Sequence, residues 1–117
     1  MSYKKLNCWK LSIELVMDVY ELTSNFPENE KFGLVSQINR AAVSIPSNIA
    51  EGSARQSDKE MVQFLHVSLG SIAELETQFI IAQRLNYLNE TNIYDKIADV
   101  RKTIIGLIKY LKSKKVK

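Results

Sequence analysis

The sequence has 117 residues, 45% hydrophobic and 25% charged, which is the composition of an ordinary globular domain and excludes a disordered chain. No apolar run reaches the roughly 20 residues that a membrane-spanning helix needs, and Glu14 and Asp18 interrupt the first amphipathic segment, which excludes a signal peptide. Cys8 is the only cysteine and His66 the only histidine, so an intrachain disulfide, a zinc cluster and a Cys/His catalytic pair are excluded. We expect one cytoplasmic domain over residues 1–117, without membrane association.

Basic residues are concentrated towards the C-terminus. The formal net charge is +3, but Val100 to Lys117 contains seven basic residues and no acidic one, whereas the first 99 residues carry nine basic and thirteen acidic ones. A nucleic acid or an acidic surface could bind such an end. Lysines near a helix C-terminus also favour the helix dipole, so both interpretations stay open.

The first predicted helix covers about residues 6–24 and carries two apolar stripes. One stripe has alternating three- and four-residue spacing and consists of Leu6, Trp9, Ile13, Val16 and Tyr20. The other lies on nearly the opposite side and consists of Leu11, Leu15, Val19, Leu22 and Phe26. A surface helix of a monomer needs only one apolar face, so the second stripe predicts a wide core or contact with another subunit.

The second predicted helix covers about residues 34–54 and contains Pro46. Proline removes one backbone donor and clashes with the preceding turn, so the helix must be kinked or divided there. The apolar period continues across Pro46, which favours one kinked helix. The small and polar residues from Ser44 to Gly52 indicate either a buried hydrogen-bond network or a functional surface, and the network is the favoured interpretation.

The third predicted helix covers about residues 58–86. Ser57 with Glu60 three residues later predicts a capping box at its start. Gly70 lies inside this helix next to other small residues, which predicts a tight helix crossing rather than a break.

The fourth predicted helix covers about residues 90–113, with Asn89 or Thr91 as its cap. Short connections make consecutive helices antiparallel neighbours. The sequence therefore predicts an all-α, antiparallel, up-down-up-down four-helix bundle.

Carboxylates are the main candidates for catalysis or metal binding, because Cys8 is interpreted as a small, partly buried residue and His66 as a helix-surface residue. Glu51, Glu74 and Glu76 could supply ligands, but the Glu-x-x-His motif of di-metal bundles is absent, and Glu74 and Glu76 point in different directions. We expect no catalytic residue, no cofactor and no metal ion, and hence no enzyme. A hydrolase using Glu51 or Glu74 is the least favoured alternative.

Several motifs together resemble the four-helix-bundle proteins encoded in bacterial 23S rRNA intervening sequences, over nearly the whole chain. The motifs are Phe26-Pro27, Gln37 to Ala42, Asn48 to Gly52, and Gly70 to Gln78. The sequence departs from the family where Ser53 and Ala54 stand in place of an aromatic residue or a glycine, and we expect a tighter or differently packed turn there.

The resemblance implies a left-turning antiparallel bundle assembled as a ring-like homopentamer, with a role in RNA binding and no catalytic residues. The sequence is also similar to accessory proteins of diversity-generating retroelements, which share the bundle and bind a reverse transcriptase and nucleic acid. The family-motif residues interpreted as structural are Asn48, Glu51, Gly52, Gly70, Glu74 and Gln78.

Two functions compete at this stage. The first is an oligomer that binds RNA or another nucleic acid through phosphate contacts of Arg40, Arg55, Lys59, Lys109, Lys112, Lys114 and Lys115. The second is a scaffold or accessory subunit that does not bind nucleic acid directly. It contacts other subunits or a protein partner through the extra apolar stripe of the first helix and through the line of small residues Gly70, Ala73 and Thr77 on the third.

Overall fold

The protein folds into four α-helices joined by short connections. The computed structural model describes residues 2–114. Its helices are α1 (Asn7–Thr23), α2 (Leu34–Ser53), α3 (Asp58–Arg84) and α4 (Ile93–Ser113), and single 3₁₀ turns at Tyr3–Lys5 and Glu28–Glu30 precede α1 and α2. Residues 2–114 contain no β-strand, so the predicted all-α class with four helices is confirmed. The predicted helix bounds differ from these by a few residues at the ends, where helices fray.

Each helix contacts two others within an elongated body of 54 × 23 × 20 Å. Close backbone contacts join α1 with α2, α2 with α3, α3 with α4, and α4 with α1. The side-chain pairs between α3 and α4 follow opposite orders along the two helices: Gln83 with Tyr94, Glu76 with Arg101, and Asp58 with Lys114. These two helices therefore run in opposite directions, while the up-down-up-down order of the whole bundle stays a prediction.

Side-chain hydrogen bonds define the starts of α3 and α4. Ser57 Oγ accepts from the Glu60 backbone N–H at 3.1 Å, which is one half of the predicted capping box. The other half differs, because the Glu60 carboxylate accepts a hydrogen bond from the Ser57 hydroxyl, at 3.4 Å, instead of from the Ser57 backbone. Thr91 Oγ1 accepts from the Ile93 backbone N–H at 3.1 Å, from the position before the cap. The N-cap residue of α4 is Asn92, whose side chain makes no capping hydrogen bond, so the predicted caps Asn89 and Thr91 are both wrong and α4 begins later than predicted.

Asn86 ends α3 in a left-handed conformation. Its φ is 65°, which asparagine tolerates better than most residues. Tyr87 N–H donates to the carbonyl of Ala82 and Asn86 N–H donates to that of Gln83, both at 3.0 Å. This is the Schellman pattern, and it satisfies carbonyls that the helix end would otherwise leave unpaired.

Pro46 lies inside α2 without dividing it. The helix runs from Leu34 to Ser53 with Pro46 buried in its interior, so of the two predicted outcomes a division is excluded, and the kink stays a prediction. Ser68 of α3 donates a hydrogen bond to the carbonyl of Ile45 at 2.9 Å, immediately before the proline. The part of α2 around Pro46 is thus hydrogen-bonded to its neighbour α3.

The core is built from one apolar stripe of each helix. On α1 this is the stripe with Leu15, Val19 and Phe26, together with the buried Cys8. The other predicted stripe of α1 is the one left partly outside, because Ile13 is 36% exposed and Tyr20 47% exposed. The surplus apolar surface is real, but it is the Leu6-to-Tyr20 stripe that supplies it and not the Leu11-to-Phe26 stripe.

The tight helix crossing lies at Gly52 and not at Gly70. A Cβ on Gly52 would stand 2.8 Å from the Cβ of Phe64 and 3.3 Å from the carbonyl oxygen of Met61, so α2 and α3 approach closely there. A Cβ on Gly70 would meet nothing within 4 Å. The helix is unbroken at Gly70, as predicted. No crossing within the chain lies there, because the small-residue line around Gly70 faces outwards, and a crossing with another subunit at this line stays a prediction.

Within residues 2–114, no helix is both long and apolar enough to cross a bilayer.

Candidate nucleic-acid interface

One end of the bundle brings together parts of the chain that are distant in sequence. The start of α1 lines a surface concavity with Thr103 and Leu107 of α4. The end of α2 meets the start of α3 at Gly52, and Lys114, just after α4, lies 3.3 Å from the Asp58 carboxylate at the start of α3. The first turn of α1, the end of α2, the first turn of α3 and the end of α4 therefore share this end.

Positive charge predominates at this end, which we call the basic end. Its basic residues are Lys4, Lys5, Lys10, Arg55, Lys59, Lys109, Lys112 and Lys114. Its acidic residues are Glu51, Asp58 and Glu60. All of these residues are exposed, so the basic end presents a positive electrostatic potential to solvent.

Negative charge predominates at the opposite end, which we call the acidic end. Its acidic residues are Asp18, Glu21, Glu28, Glu30, Glu90, Asp95 and Asp99, against the basic residues Lys31, Arg40, Arg84 and Lys96. Two contacts involve residues of this end: Lys96 Nζ forms an ion pair with Asp18 at 2.6 Å, and the Tyr87 hydroxyl donates a hydrogen bond to Glu30 Oε2 at 2.8 Å. That hydrogen bond to the Glu30 carboxylate raises the pKa of Tyr87. The two ends are separated along the 54 Å axis, so the molecule is electrically polarised.

The predicted nucleic-acid-binding residues fall in two places. Arg55, Lys59, Lys109, Lys112 and Lys114 lie at the basic end, and Lys115 lies outside the described residues. Arg40 is exposed on α2, where it lines a separate concavity with Lys31, Phe32 and Tyr20 near the acidic end. Arg40 and Arg55 are roughly 20 Å apart along the helix axis, at about 1.5 Å per helical residue.

Two of the basic side chains are already engaged in surface ion pairs. Arg55 Nη2 lies 2.7 Å from Glu51 Oε2, and Lys114 Nζ lies 3.3 Å from Asp58 Oδ2. Exposed pairs of this kind contribute only about 0–1 kcal/mol, so an incoming phosphate can compete for the cations. Within residues 2–114, no ion pair engages Lys59, Lys109 or Lys112.

Sequence reasoning missed the contribution of α1 to the basic end. Lys4, Lys5 and Lys10 precede or begin α1, about a hundred residues before the lysines of α4, and no pattern along one helix reveals that they share a surface with α4. The signal that existed was topological, since an antiparallel bundle with four helices returns the end of α4 to the start of α1.

The Ser44-to-Gly52 segment makes local and interhelical hydrogen bonds. The hydroxyls of Ser44 and Ser71 form a short hydrogen bond between α2 and α3, and Asn48 Nδ2 donates to the Ser44 carbonyl at 2.8 Å. The Ser44–Ser71 bond and the bond from Ser68 to Ile45 join α2 to α3, whereas the Asn48 bond lies within α2. The local bond of Asn48 and the close α2–α3 approach at Gly52 support the structural interpretation of these two residues.

The remaining family-motif residues have different surroundings. Gln78 is 6% exposed, and its Nε2 donates to Glu74 Oε2 at 3.5 Å, while its Oε1 has no partner among residues 2–114. Glu74 and Gly70 are exposed on α3. Glu51 is exposed and bound to Arg55, so it is part of the surface of the basic end rather than of the α2–α3 contact.

The candidate catalytic groups are spread out. Glu51 is paired with Arg55 and Glu76 with Arg101, at 2.7 Å each, on different parts of the surface. No group of three or more potential metal ligands lies together in residues 2–114. Cys8 is only 3% exposed, and burial raises the pKa of its thiol to about 11, opposite to the shift that activates a nucleophilic cysteine.

A second surface feature is an apolar groove between α1 and α2. We call it the α1/α2 groove, and it is formed by Trp9, Ile13, Val16, Tyr20, Phe32 and Val43. Phe32 is 90% exposed and Val43 is 40% exposed, so this face is not covered by the chain itself. Contiguous exposed apolar surface of this kind often marks a contact with another protein.

Fold and surface together define an all-α, four-helix-bundle protein with its charge divided between its two ends. A family model described as 23S rRNA-intervening sequence protein matches residues 4–110, and the chain belongs to this family. The resemblance found in the sequence motifs is thereby confirmed.

A solved structure shares the fold. It is the crystal structure of a protein of unknown function from the S23 ribosomal protein family of Bacteroides thetaiotaomicron VPI-5482, with a TM-score of 0.81 and 24% sequence identity. The match covers 93% of this chain and 99% of that one. No curated protein matches the chain.

Proposed function

We propose that this protein is a non-enzymatic, oligomeric nucleic-acid-binding protein of the cytoplasm, with RNA as its ligand. The observation that carries the proposal is the basic end, where four parts of the chain contribute lysine and arginine side chains to one exposed surface. Such a surface binds phosphates by releasing condensed counterions, without reading the base sequence. The family's link to the 23S rRNA intervening sequence supports RNA as the class of nucleic acid.

The absence of enzymatic activity, cofactor and metal is part of the proposal. It is supported by the buried, protonated thiol of Cys8 and by the engagement of Glu51 and Glu76 with arginines. A general acid or base needs a reachable, suitably tuned group within a cleft, and these groups do not offer one.

Assembly as a homopentamer is the proposed form of the protein. Closed rings use heterologous contacts between two different surfaces of the same chain. The α1/α2 groove supplies one apolar surface, and the exposed Ile80 and Ile81 near the end of α3 supply another. A ring that joins these surfaces would cover both and would repeat the basic end once per subunit.

Fluorescence anisotropy with a labelled structured RNA tests the nucleic-acid proposal. We expect binding that weakens steeply between about 50 mM and about 200 mM salt, because each phosphate contact releases counterions. Replacing Lys109 and Lys112 with glutamine should weaken binding and reduce the salt dependence by about one unit of slope per lost contact.

Arg40→Gln is the matched control for that experiment. It removes an exposed positive charge far from the basic end, so it should leave the affinity close to that of the wild type. Equal loss of affinity in Arg40→Gln and in the lysine variant would remove the basic end as the binding surface. Binding that is absent or indifferent to salt would overturn the proposal itself.

The α1/α2 groove favours a second candidate function, a scaffold or accessory subunit for a protein partner without direct nucleic-acid binding. Light scattering over a wide concentration range separates the possibilities. A stable oligomer that ignores RNA would favour the scaffold, whereas Ile13→Lys with Val43→Lys should yield monomers if the groove joins subunits. An unchanged mass for that double variant would argue that the groove serves another partner.

A further inference from the structure

The outer face of α4 contains a glycine that the fold does not require. Gly106 is exposed in the interior of α4, and a Cβ placed on it would meet nothing within 4 Å. Glycine weakens a helix relative to alanine because it loses more conformational freedom on folding. No contact within the described chain compensates for this weakness, so the open space above Gly106 calls for an external explanation.

A shallow concavity of about 390 Å³ surrounds this glycine, within the lower part of the size range of small-molecule sites. It is lined by Ala98, Arg101, Lys102, Ile105, Gly106 and Lys109. The small residues form its floor and Ile105, 37% exposed, adds an apolar wall. Three basic side chains therefore surround a partly apolar surface.

The charges on this surface are available to a ligand. Arg101 donates to Glu76 Oε1 at 2.7 Å, which fixes its guanidinium on the α3 side. Within residues 2–114, no ion pair engages Lys102 or Lys109. These two lysines lie on opposite sides of Gly106 along the helix, where they could contact successive phosphates.

An exposed aromatic ring lies one helical turn beyond the glycine. Tyr110 is 58% exposed, and Lys114 Nζ lies 5.5 Å from its ring centroid. Long side chains on a helix lean towards the residue four positions earlier, which for Tyr110 is Gly106. Because that residue has no side chain, the Tyr110 ring is left accessible from this side.

We propose that the outer face of α4 binds an unpaired nucleotide, with its base over Gly106 against Ile105 and Tyr110 and the adjoining phosphates on Lys102 and Lys109. An aromatic ring beside basic side chains is the combination with which proteins bind single strands. A base in a duplex is stacked and paired and cannot enter such a site. The proposal deepens the proposed function, on which it rests, by making single-stranded or looped RNA the preferred ligand.

The test compares two RNA probes on the full chain. One is a fluorescein-labelled oligouridine of about 12 nucleotides, within the site sizes of single-strand binders, and the other is a duplex RNA of the same length. The wild-type protein should bind the single strand more tightly than the duplex. Gly106→Leu fills the concavity and should weaken single-strand binding by about 5- to 100-fold, the effect of losing one stacked base, with duplex binding unchanged.

Gly70→Leu is the matched control, because Gly70 is also an exposed helical glycine with nothing within 4 Å, but lies on α3. It should retain wild-type affinity for the single strand, with circular dichroism and light scattering confirming fold and mass for both variants. Tyr110→Leu keeps an apolar side chain, removes the stacking ring and should reproduce the single-strand defect.

The outcomes separate the two proposals. Equal affinity for single strand and duplex, or unchanged single-strand binding by Gly106→Leu and Tyr110→Leu, would overturn the α4 site while leaving the basic end as a general phosphate-binding surface. If neither probe bound at low salt, the proposed function would fail together with this inference.

Discussion

Gly52 and Gly106 are both helical glycines, and their surroundings are opposite. At Gly52 the α2–α3 contact leaves no room for a methyl group, since the Cβ of Phe64 is only 2.8 Å away from where it would lie. At Gly106, on the outer face of α4, nothing approaches within 4 Å. The fold accounts for the first glycine completely and for the second not at all. Residue type alone therefore does not tell whether a glycine in a helix serves packing or leaves room for a ligand.

The polar residues of the two regions differ in the same way. Along the α2–α3 contact, the hydroxyls of Ser44, Ser68 and Ser71 have partners on the facing helix or its backbone. On the outer face of α4, the amino groups of Lys102 and Lys109 point to no acidic partner within residues 2–114. A contact in which every hydroxyl has a hydrogen-bond partner fixes the register of the two helices. A cluster of lysines without acidic partners can still bind a negatively charged group of another molecule.

Removing apolar volume should break the comparison most clearly. Ile45 is fully buried in α2 beside Ser68, so Ile45→Ala should lower the free energy of unfolding by about 2–5 kcal/mol through lost burial and a residual cavity. Ile105→Ala removes the same atoms from the outer face of α4, where the side chain is 37% exposed, and should cost well under half as much. Urea titrations at one fixed protein concentration measure both values, because the proposed assembly would make stability concentration-dependent. Similar losses would show that Ile105 is as well buried in solution as Ile45.

Adding one methyl group tests the same contact in the opposite direction. Gly52→Ala must separate α2 from α3 locally, because the conflict is with the Cβ of Phe64 and not with a flexible side-chain end, and we expect a loss of about 1–3 kcal/mol. Gly70→Ala adds the same methyl group in open space on α3 and should not destabilise the protein. Thermal unfolding followed by circular dichroism gives the sign of each change. A neutral Gly52→Ala would mean that the helices can move apart freely and that this contact does not set their spacing.

Gly52 and Gly70 also show how much of the helix packing could be predicted from the sequence. Apolar residues of α3 and α4 that recur every three or four positions, such as Leu65, Phe79 and Ile97, indicate the core, and all three are buried. Spacing along one helix does not say which side its neighbour occupies, so the sequence pointed to Gly70 and gave no sign of the α2–α3 approach at Gly52. Because α1 carries two apolar stripes on nearly opposite sides, periodicity did not predict which of them faces the core.

The basic end was only half predictable for a related reason. The lysines of α4 form a local run that composition reveals, whereas Lys4 and Lys5 join them only through the three-dimensional arrangement. Arg40 was grouped with them as a phosphate contact, and the structure places it in a concavity towards the other end. The separation of charge between the two ends depends on how the helices are connected, so no short stretch of the sequence reveals it.

Alkaline pH extends the comparison from α2–α3 to the buried side of α1. The thiol of Cys8 ionises near pH 9 in the unfolded chain, but burial raises its pKa to about 11 in the folded protein. Stability that is fully present below pH 9 should therefore fall as pH rises from about 9 to about 11, by at most about 1.4 kcal/mol per pH unit for this one proton. Cys8→Ala should remove that part of the slope in urea titrations at several pH values, while the other titrating groups act equally in both proteins. Parallel pH profiles for the two proteins would mean that water reaches the thiol.

The smallest expected effect concerns Gly106 and has the opposite sign. Alanine is the stronger helix former and meets no atom at this position, so Gly106→Ala should raise the free energy of unfolding by about 0.5–1 kcal/mol. Gly70→Ala should give a similar gain, since its surroundings are equally open. The two variants should then part in the binding assay, where only Gly106→Ala weakens the affinity for single-stranded RNA, though less than Gly106→Leu does. A glycine that lowers the free energy of unfolding but raises the affinity for single-stranded RNA would be explained by binding and not by the fold. If Gly106→Ala instead destabilised the protein, an unseen contact of this face, such as one with a second subunit, would be the explanation for the glycine.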